Sequence, residues 1–354
     1  MTTNPLVQLG GLGQSPWYDF ITRDLVASGE LARLIHEDGL MGMTTNPTIF
    51  EKAIAGSELY DEEIRRLAAE GKRPAQIFEA LAVEDVRAAC DLFLSVYRES
   101  EGMDGLVSME VSPTLAHDTA GTIAEAERLW SRIARPNVMI KIPGTKAGLP
   151  AITHCLAAGI NVNVTLLFAV QRYREVVEAF FAGLEQRVAA GKPVIGLASV
   201  ASFFVSRVDG KVGGGTAAIA NAAVAYRVFE ELFETKRWES LAAKGAMVQR
   251  PLWASTSTKD PALPDVYYVE ALIAPLTVNT LPPATFAAYR DHGKPAIRIR
   301  EAMQRADAVL GELKARGIDL DQVTQTLEAE GVKSFAASFD SLLKVIEQKA
   351  AVLV

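Results

Sequence analysis

Asn137-Val-Met-Ile-Lys141-Ile-Pro-Gly-Thr145 contains the most hydrophobic strand candidate in the chain, and an ammonium group sits inside it. The apolar run predicts a strand over 137–142, and Pro143-Gly144 predicts a turn directly after it. A strand covered on both faces, as in a parallel α/β sheet or barrel, reads as an almost unbroken apolar run, so a lysine there is a departure. Burying it as a cation costs on the order of several kcal/mol, so the group either deprotonates in part or finds a partner. With a lowered pKa it is an amine nucleophile toward a carbonyl, forming a Schiff base that serves as an electron sink for carbon–carbon cleavage. An isolated lysine at a strand end more often snorkels to water, so the neighbours decide.

Those neighbours repeat one spacing. Side chains two apart on a strand share a face, and the pairs are Thr44 with Asn46, Ser108 with Glu110, and Asn163 with Thr165, with Asn161 on that face again. Asp19 follows Trp17 in the same way. Five successive candidate strands thus carry polar side chains near their C-terminal ends. In a closed barrel that face is the interior, and the groups converge at the top, where barrel enzymes carry their chemistry. Asn and Asp at strand ends also form turns, which fits Asn161 equally well. Glu110 lies in a run with Val107, Met109 and Val111 that is strand-like on both sides, so its alternative is a structural ion pair. Ser202 ends a small-residue strand, and Arg207, five residues on, offers a two-pronged phosphate contact or an exposed helix-end arginine. Ser255, Thr256, Ser257 and Lys259 add donors with little specificity, and Val212–Thr216 reads as a flexible loop.

Working outward, short apolar runs alternate with amphipathic stretches, the pattern of a parallel α/β protein. Candidate strands cover 17–21, 42–45, 106–111, 137–142, 160–166, 194–202, 247–255 and 276–280. Helical patterns cover 58–70, 75–99, 120–134, 147–158, 168–190, 216–243, 284–292 and 296–316. Thr122 and Glu125 have capping-box spacing, while Gly71, Gly191 and Gly317 sit where helices should stop. The fold class expected is α/β, a (β/α)8 barrel in one domain over 1–354. Helices inserted after strand two, at about 50–104, and helices at about 296–354, including the run 319–348, decorate it.

Composition narrows the function. With 354 residues, 49% of them apolar and 22% charged, the chain is that of a folded protein. Its 43 acidic and 36 basic residues give a net charge of −7, which argues against nucleic-acid binding while allowing a local basic pocket for a phosphate. Cys90, Cys155 and four scattered histidines (His36, His117, His154, His292) offer no metal-ligand spacing and no disulfide framework. No apolar run is long enough for a membrane helix and no signal segment follows Met1, so the expected setting is cytoplasmic, with no metal, cofactor or membrane partner.

Taken in order, these residues resemble the transaldolase family, in its longer bacterial form. The resemblance spans most of residues 15–290. It rests on Trp17-Tyr-Asp19, Thr44-Thr-Asn46-Pro-Thr-Ile-Phe50, Ser108-Met-Glu110-Val, Asn137 to Thr145, Ile160-Asn-Val-Asn163-Val-Thr165-Leu-Leu-Phe168, and Ser202-Phe-Phe-Val-Ser-Arg207. It implies a metal-free class I aldolase barrel of the pentose phosphate pathway. Such an enzyme moves a dihydroxyacetone unit from sedoheptulose 7-phosphate to glyceraldehyde 3-phosphate, giving erythrose 4-phosphate and fructose 6-phosphate. By motif position, Lys141 resembles the Schiff-base lysine, Glu110 the acid/base working through a water held with Thr165, and Asp19 the base for the C4 hydroxyl. Asn46 and Asn163 resemble ligands of the dihydroxyacetone hydroxyls, with Thr44 nearby, and Ser202 and Arg207 resemble substrate and phosphate contacts. The resemblance implies small sugar-phosphate partners, and a monomer or homodimer is expected.

The match has departures. Shorter members carry a second phosphate-binding arginine after strand seven, where this chain has Ala254-Ser-Thr-Ser-Thr-Lys259, so Lys259 is the expected substitute. After about residue 295 the motifs give out and only helix packing is expected. The rival within the fold is a fructose 6-phosphate aldolase, which generally has an amide where Glu110 stands and a tyrosine where Phe204 falls. The rival outside enzymology, a noncatalytic sugar-phosphate-binding barrel, predicts loss of the nucleophile or base, whereas Lys141, Glu110 and Asp19 are all present.

Overall fold

Eight parallel strands close into a barrel in chain order in the computed structural model, which describes residues 4–353. They are β1 (Gln14–Asp19), β2 (Gly42–Thr44), β3 (Leu106–Glu110), β4 (Val138–Pro143), β5 (Val162–Leu167), β6 (Ser199–Phe204), β7 (Arg250–Ala254) and β8 (Thr277–Leu281). The (β/α)8 reading is borne out, with several boundaries corrected. The first strand begins at Gln14 and ends at Asp19, not at Ile21. The sixth begins at Ser199 rather than 194, because Ile195-Gly196 forms a turn with Gly196 at φ 75°, a conformation that favours glycine.

Helices fill the connections. α1 (Pro5–Gly11) precedes the barrel, and α2 (Arg23–Ala27) and α3 (Glu30–Glu37) join β1 to β2. Between β2 and β3 lie α4 (Pro47–Ala55), α5 (Asp61–Ala69), α6 (Pro74–Leu92) and α7 (Leu94–Glu99). α8 (Thr119–Ile133), α9 (Gly148–Ala158) and α10 (Val170–Ala189) follow β3, β4 and β5 in turn. α11 (Ser206–Val212), α12 (Ala217–Phe233) and α13 (Lys236–Ala242) follow β6, and α14 (Tyr267–Ala271) follows β7. After β8 come α15 (Pro283–His292), α16 (Ile299–Ala315) and α17 (Leu320–Leu353). The helical stretch expected over 216–243 is divided, because Thr235 accepts a hydrogen bond from the Trp238 amide and caps a new helix. The expected capping box of α8 is also absent. Asp118 caps that helix by accepting from Gly121 N, Thr122 donates to Leu115 O, and Glu125 accepts from Ser112 N.

The barrel interior is filled in layers, as a packed core rather than a pore. At its N-terminal end Arg250 donates to Asp104 (2.9 Å), Ser15 (2.7 Å) and the Met103 carbonyl. Ser15 and the Trp17 indole also donate to Asp104, so the buried carboxylate and guanidinium satisfy each other. Midway, Asn163 donates to Ser108 (2.9 Å) and accepts from Ser202 (2.7 Å), tying β3, β5 and β6 together. Asn161, at the lower end of β5, donates to the Pro136 and Val138 carbonyls and accepts from Ala198 N, a structural role away from the top.

At the C-terminal end α17 crosses the rim. Glu330 meets Lys211 of α11 (2.6 Å), Ser338 accepts from Thr48 (2.8 Å), Ser341 donates to Glu51 (2.5 Å), and Lys349 donates to Asp61 (2.6 Å). No helix among the described residues is long and apolar enough to cross a membrane.

Asp104→Ala leaves the Arg250 cation buried without its counter-charge, which costs about 3–5 kcal/mol when one partner of a buried pair is removed. The denaturation midpoint should fall accordingly, and adding Arg250→Met should recover most of the loss. An unchanged midpoint for the single variant would refute this role.

Candidate active site

Three strands bring the central groups together. Glu110 ends β3 and pairs in register with Lys141 of β4, which pairs with Asn163 of β5. Lys141 is buried, with 4% of its surface exposed. Its Nζ donates to the Thr45 carbonyl (3.1 Å) and lies 3.4 Å from Glu110 Oε2. The lysine therefore found partners instead of snorkelling. Neither Glu110 oxygen nor the buried Thr165 hydroxyl has a hydrogen-bond partner of good geometry, so all three acceptor or donor sites remain for other molecules. Thr165 stands beside a bulge in β5, where the register against β6 shifts and Leu166 takes φ 60°. Bulges of this kind re-aim side chains next to active sites.

Asp19 faces this pair from β1. Thr44, opposite it in register on β2, donates to its Oδ1 at 2.6 Å. Because the Thr44 hydroxyl has one proton, its 2.6 Å contact with Thr280 makes Thr280 the donor there. Thr280, on the last strand, thus supports Asp19 at one remove. It was missed in the sequence reading, although its place near the end of β8 is the signal that singled out the other strand-end hydroxyls.

These groups border a cavity of about 450 Å³ at the C-terminal end of the barrel. Asp19, Thr44, Asn46, Lys141, Thr165, Ser202, Phe204, Arg207 and Lys259 all line it, as do Ser255 and Phe335. Asn163 and Glu110 do not. Both polar ends of Asn163 are engaged by Ser108 and Ser202. Glu110 instead borders a neighbouring cavity of about 320 Å³, walled by Phe50, Phe78 and Phe339, that shares Asn46 with the first. Asn46 caps α4 through its Oδ1, which accepts from Ile49 N, and its amide nitrogen is left to donate elsewhere. The Arg207 guanidinium lies over the Phe204 ring, 5.1 Å from its centroid.

Burial governs the electrostatics. It raises Glu110 to about 7, against the lowering pull of Lys141, with Asp19 adding to the rise. Burial likewise raises Asp19, opposed by Lys141, by the Thr44 hydrogen bond and by Arg207. At the mouth, burial lowers Arg207, and burial with the nearby Arg207 charge lowers Lys259. An anion between these two cations would relieve both. The cavity thus holds a buried amine and the Asp19 carboxyl with two cations, and the Glu110 carboxyl stands 3.4 Å from the amine on the side of the neighbouring cavity. That combination suits carbonyl chemistry on a molecule with an anionic end.

Comparison with known proteins agrees. A sequence model described as Transaldolase/Fructose-6-phosphate aldolase matches residues 16–346. The chain is 51% identical, over 98% of both chains, to a protein named Transaldolase from Parafrankia sp. (strain EAN1pec). It is 52% identical to another of that name from Acidothermus cellulolyticus, covering 97% of this chain and 96% of that one. A Transaldolase 2 from Nostoc sp. (strain PCC 7120) is 46% identical over 100% of this chain and 99% of its own length.

Raising Glu110 from 4.5 to about 7 means that the folded chain holds a proton there which the unfolded chain has released. This group's contribution is complete below the unfolded value and is lost as pH climbs through the folded one. The stability of the parent chain minus that of Glu110→Gln should therefore decline as pH rises from 4.5 to about 7 in urea titrations. A difference independent of pH would show an ordinary carboxyl.

Proposed function

The chain belongs to the transaldolase/fructose-6-phosphate aldolase family, and from this we propose that Lys141 carries a three-carbon ketose fragment between two sugar phosphates. The activity is that of a transaldolase. In this reading a dihydroxyacetone unit passes from sedoheptulose 7-phosphate to glyceraldehyde 3-phosphate, giving erythrose 4-phosphate and fructose 6-phosphate. The observation that carries it is the buried Lys141 amine, 3.4 Å from a carboxyl whose pKa is near neutrality and in one cavity with Asp19.

Each step has a residue suited to it. Lys141 Nζ adds to the ketose carbonyl, and Glu110, poised to give or take a proton near neutral pH, assists loss of the carbinolamine hydroxyl as water. The unpartnered Thr165 hydroxyl supports a water relay between Glu110 and the carbinolamine. Asp19, held by Thr44, takes the C4 hydroxyl proton as the C3–C4 bond breaks and the aldehyde leaves. The nitrogen on Lys141 accommodates the electron pair, and the acceptor aldehyde then reverses the sequence. Asn46, Asn163, Thr44 and Ser202 hold the hydroxyls of the three-carbon unit, which for Asn163 means displacing Ser108 or Ser202. Arg207, braced on Phe204, and Lys259 hold the phosphate. A carboxylate at 110 and a phenyl ring at 204 favour transfer over simple cleavage.

Borohydride with fructose 6-phosphate should reduce a covalent adduct on Lys141, and Lys141→Ala should abolish it; persistence of the adduct would overturn the assignment. Product from fructose 6-phosphate should require erythrose 4-phosphate, whereas release of free dihydroxyacetone at the same rate without it would favour the aldolase. Lys259→Ala should lower kcat/KM roughly tenfold for glyceraldehyde 3-phosphate and leave unphosphorylated glyceraldehyde unaffected. Equal loss with both acceptors would remove the phosphate role.

A further inference from the structure

α17, whose sequence suggested only packing, reaches into the catalytic cavity. Its buried stripe of Thr324, Leu327, Gly331, Phe335, Leu342 and Ile346 follows helical spacing and faces the barrel. Gly331 permits a close approach: a Cβ there would lie 3.0 Å from Leu166 on the β5 bulge. One turn later Phe335, 5% exposed, lines the cavity with its ring centroid 5.8 Å from Lys141 Nζ. Side-chain bonds fix the helix on both sides of this ring, Lys211–Glu330 before it and Thr48–Ser338 and Ser341–Glu51 after it.

A phenyl ring offers the reaction neither a proton nor a hydrogen-bonding group; in a cavity lined by hydroxyls and charged groups it occupies volume that water would otherwise fill. After C3–C4 cleavage the three-carbon unit remains on Nζ as an enamine, with nucleophilic character at C3. In transfer, C3 forms a bond to the acceptor's aldehyde carbon, the aldehyde oxygen takes the proton held on Asp19, and water then hydrolyses the C=N bond to free the product and the lysine amine. In the wasteful branch, C3 takes a proton from water, and the hydroxide left behind adds to the C=N carbon, which releases free dihydroxyacetone and the lysine amine. Both branches balance, and they differ only in whether water reaches C3 before the acceptor does.

We propose that Phe335 is a positioning residue that keeps water from the fragment on Lys141, so that the fragment leaves to an aldehyde rather than to a proton. The proposal rests on the Schiff-base reading of Lys141. Phe339, one turn further along the same helix, walls the neighbouring cavity against Phe78 and supplies the control.

The test measures, for each variant, dihydroxyacetone released from fructose 6-phosphate without acceptor, divided by transfer to glyceraldehyde 3-phosphate. Phe335→Ala should raise this ratio roughly tenfold. Phe335→Val, which preserves the apolar seam should the alanine variant fail to fold, should raise it by less. Phe339→Ala should leave it at the parent value, with borohydride trapping at Lys141 intact throughout. An unmoved ratio in the folded Phe335 variants with trapping intact overturns this proposal alone, as does an equal rise in Phe339→Ala, which would mean general loosening of α17. Failure of trapping in the parent chain overturns the Schiff-base reading and this inference with it.

Discussion

An amine and a carboxyl are held 3.4 Å apart inside a protein wall, and the architecture is organised around keeping that pair buried and in place. Two full charges buried together are costly unless their remaining hydrogen-bonding capacity is met. Here the cost is moderated because burial raises Glu110 to about 7, so the carboxyl is partly protonated at neutral pH. The same shift that lightens the burden of burial gives the group the proton affinity that acid/base exchange needs. The pKa that suits proton exchange near neutral pH is also the one through which this group's stability contribution is lost as pH rises, so reactivity and stability are traded here.

Barrel closure makes that arrangement possible. Glu110 and Lys141 are register neighbours and would meet in an open sheet, but Asp19 comes from β1, three strands from β4. Only curvature brings its carboxyl into the field of the lysine, as the opposing effect of Lys141 on Asp19 shows. Below them the interior uses its polar groups to satisfy one another, with Arg250 against Asp104 and Asn163 between Ser108 and Ser202. At the top Glu110 and Thr165 keep atoms without a hydrogen-bond partner. Unpartnered atoms also occur lower down, at Gln14, Asn137, Gln249 and Asn279, so what sets Glu110 and Thr165 apart is that each borders a cavity at the C-terminal end.

Much of this was legible because strands have a period of two. Once Lys141 marked an interior face, the spacing of Ser108 and Glu110, of Asn163 and Thr165, and of Trp17 and Asp19 followed without a structure. What was lost has physical causes. Gln14-Ser15-Pro16 is too polar to read as strand, yet the Gln14 Nε2 donates to the Leu272 carbonyl and to Thr277 of the neighbouring β8, contacts made over more than 250 residues. Val194-Ile195 has the β-branched look of a strand, but the neighbouring glycine turns the chain. Asn161 obeyed the spacing and belongs to a lower layer, because period reports a face and not a height. Phe335 was hidden more thoroughly. In sequence it is one apolar residue on a helical stripe, and nothing local distinguishes a side chain that covers a core from one that covers a cavity.

The way α17 is held follows from this. Its rim contacts include an ion pair that is substantially exposed, with Lys211 at 38% and Glu330 at 50%, and exposed pairs contribute little. The apolar stripe does more, since fully burying a side chain such as Leu327, Phe335, Leu342 or Ile346 is worth roughly 1.5–3 kcal/mol each. Gly331 gives up helix propensity within that stripe, by about 1 kcal/mol relative to alanine, for contact with the β5 bulge beside Thr165. Phe335 is therefore both an anchor of the helix and part of the lining above Lys141. With this ring among the groups that seat the helix, α17 cannot lift from the barrel without uncovering the cavity beside Lys141, so docking of the C-terminal segment and cover over that side of the cavity are one equilibrium.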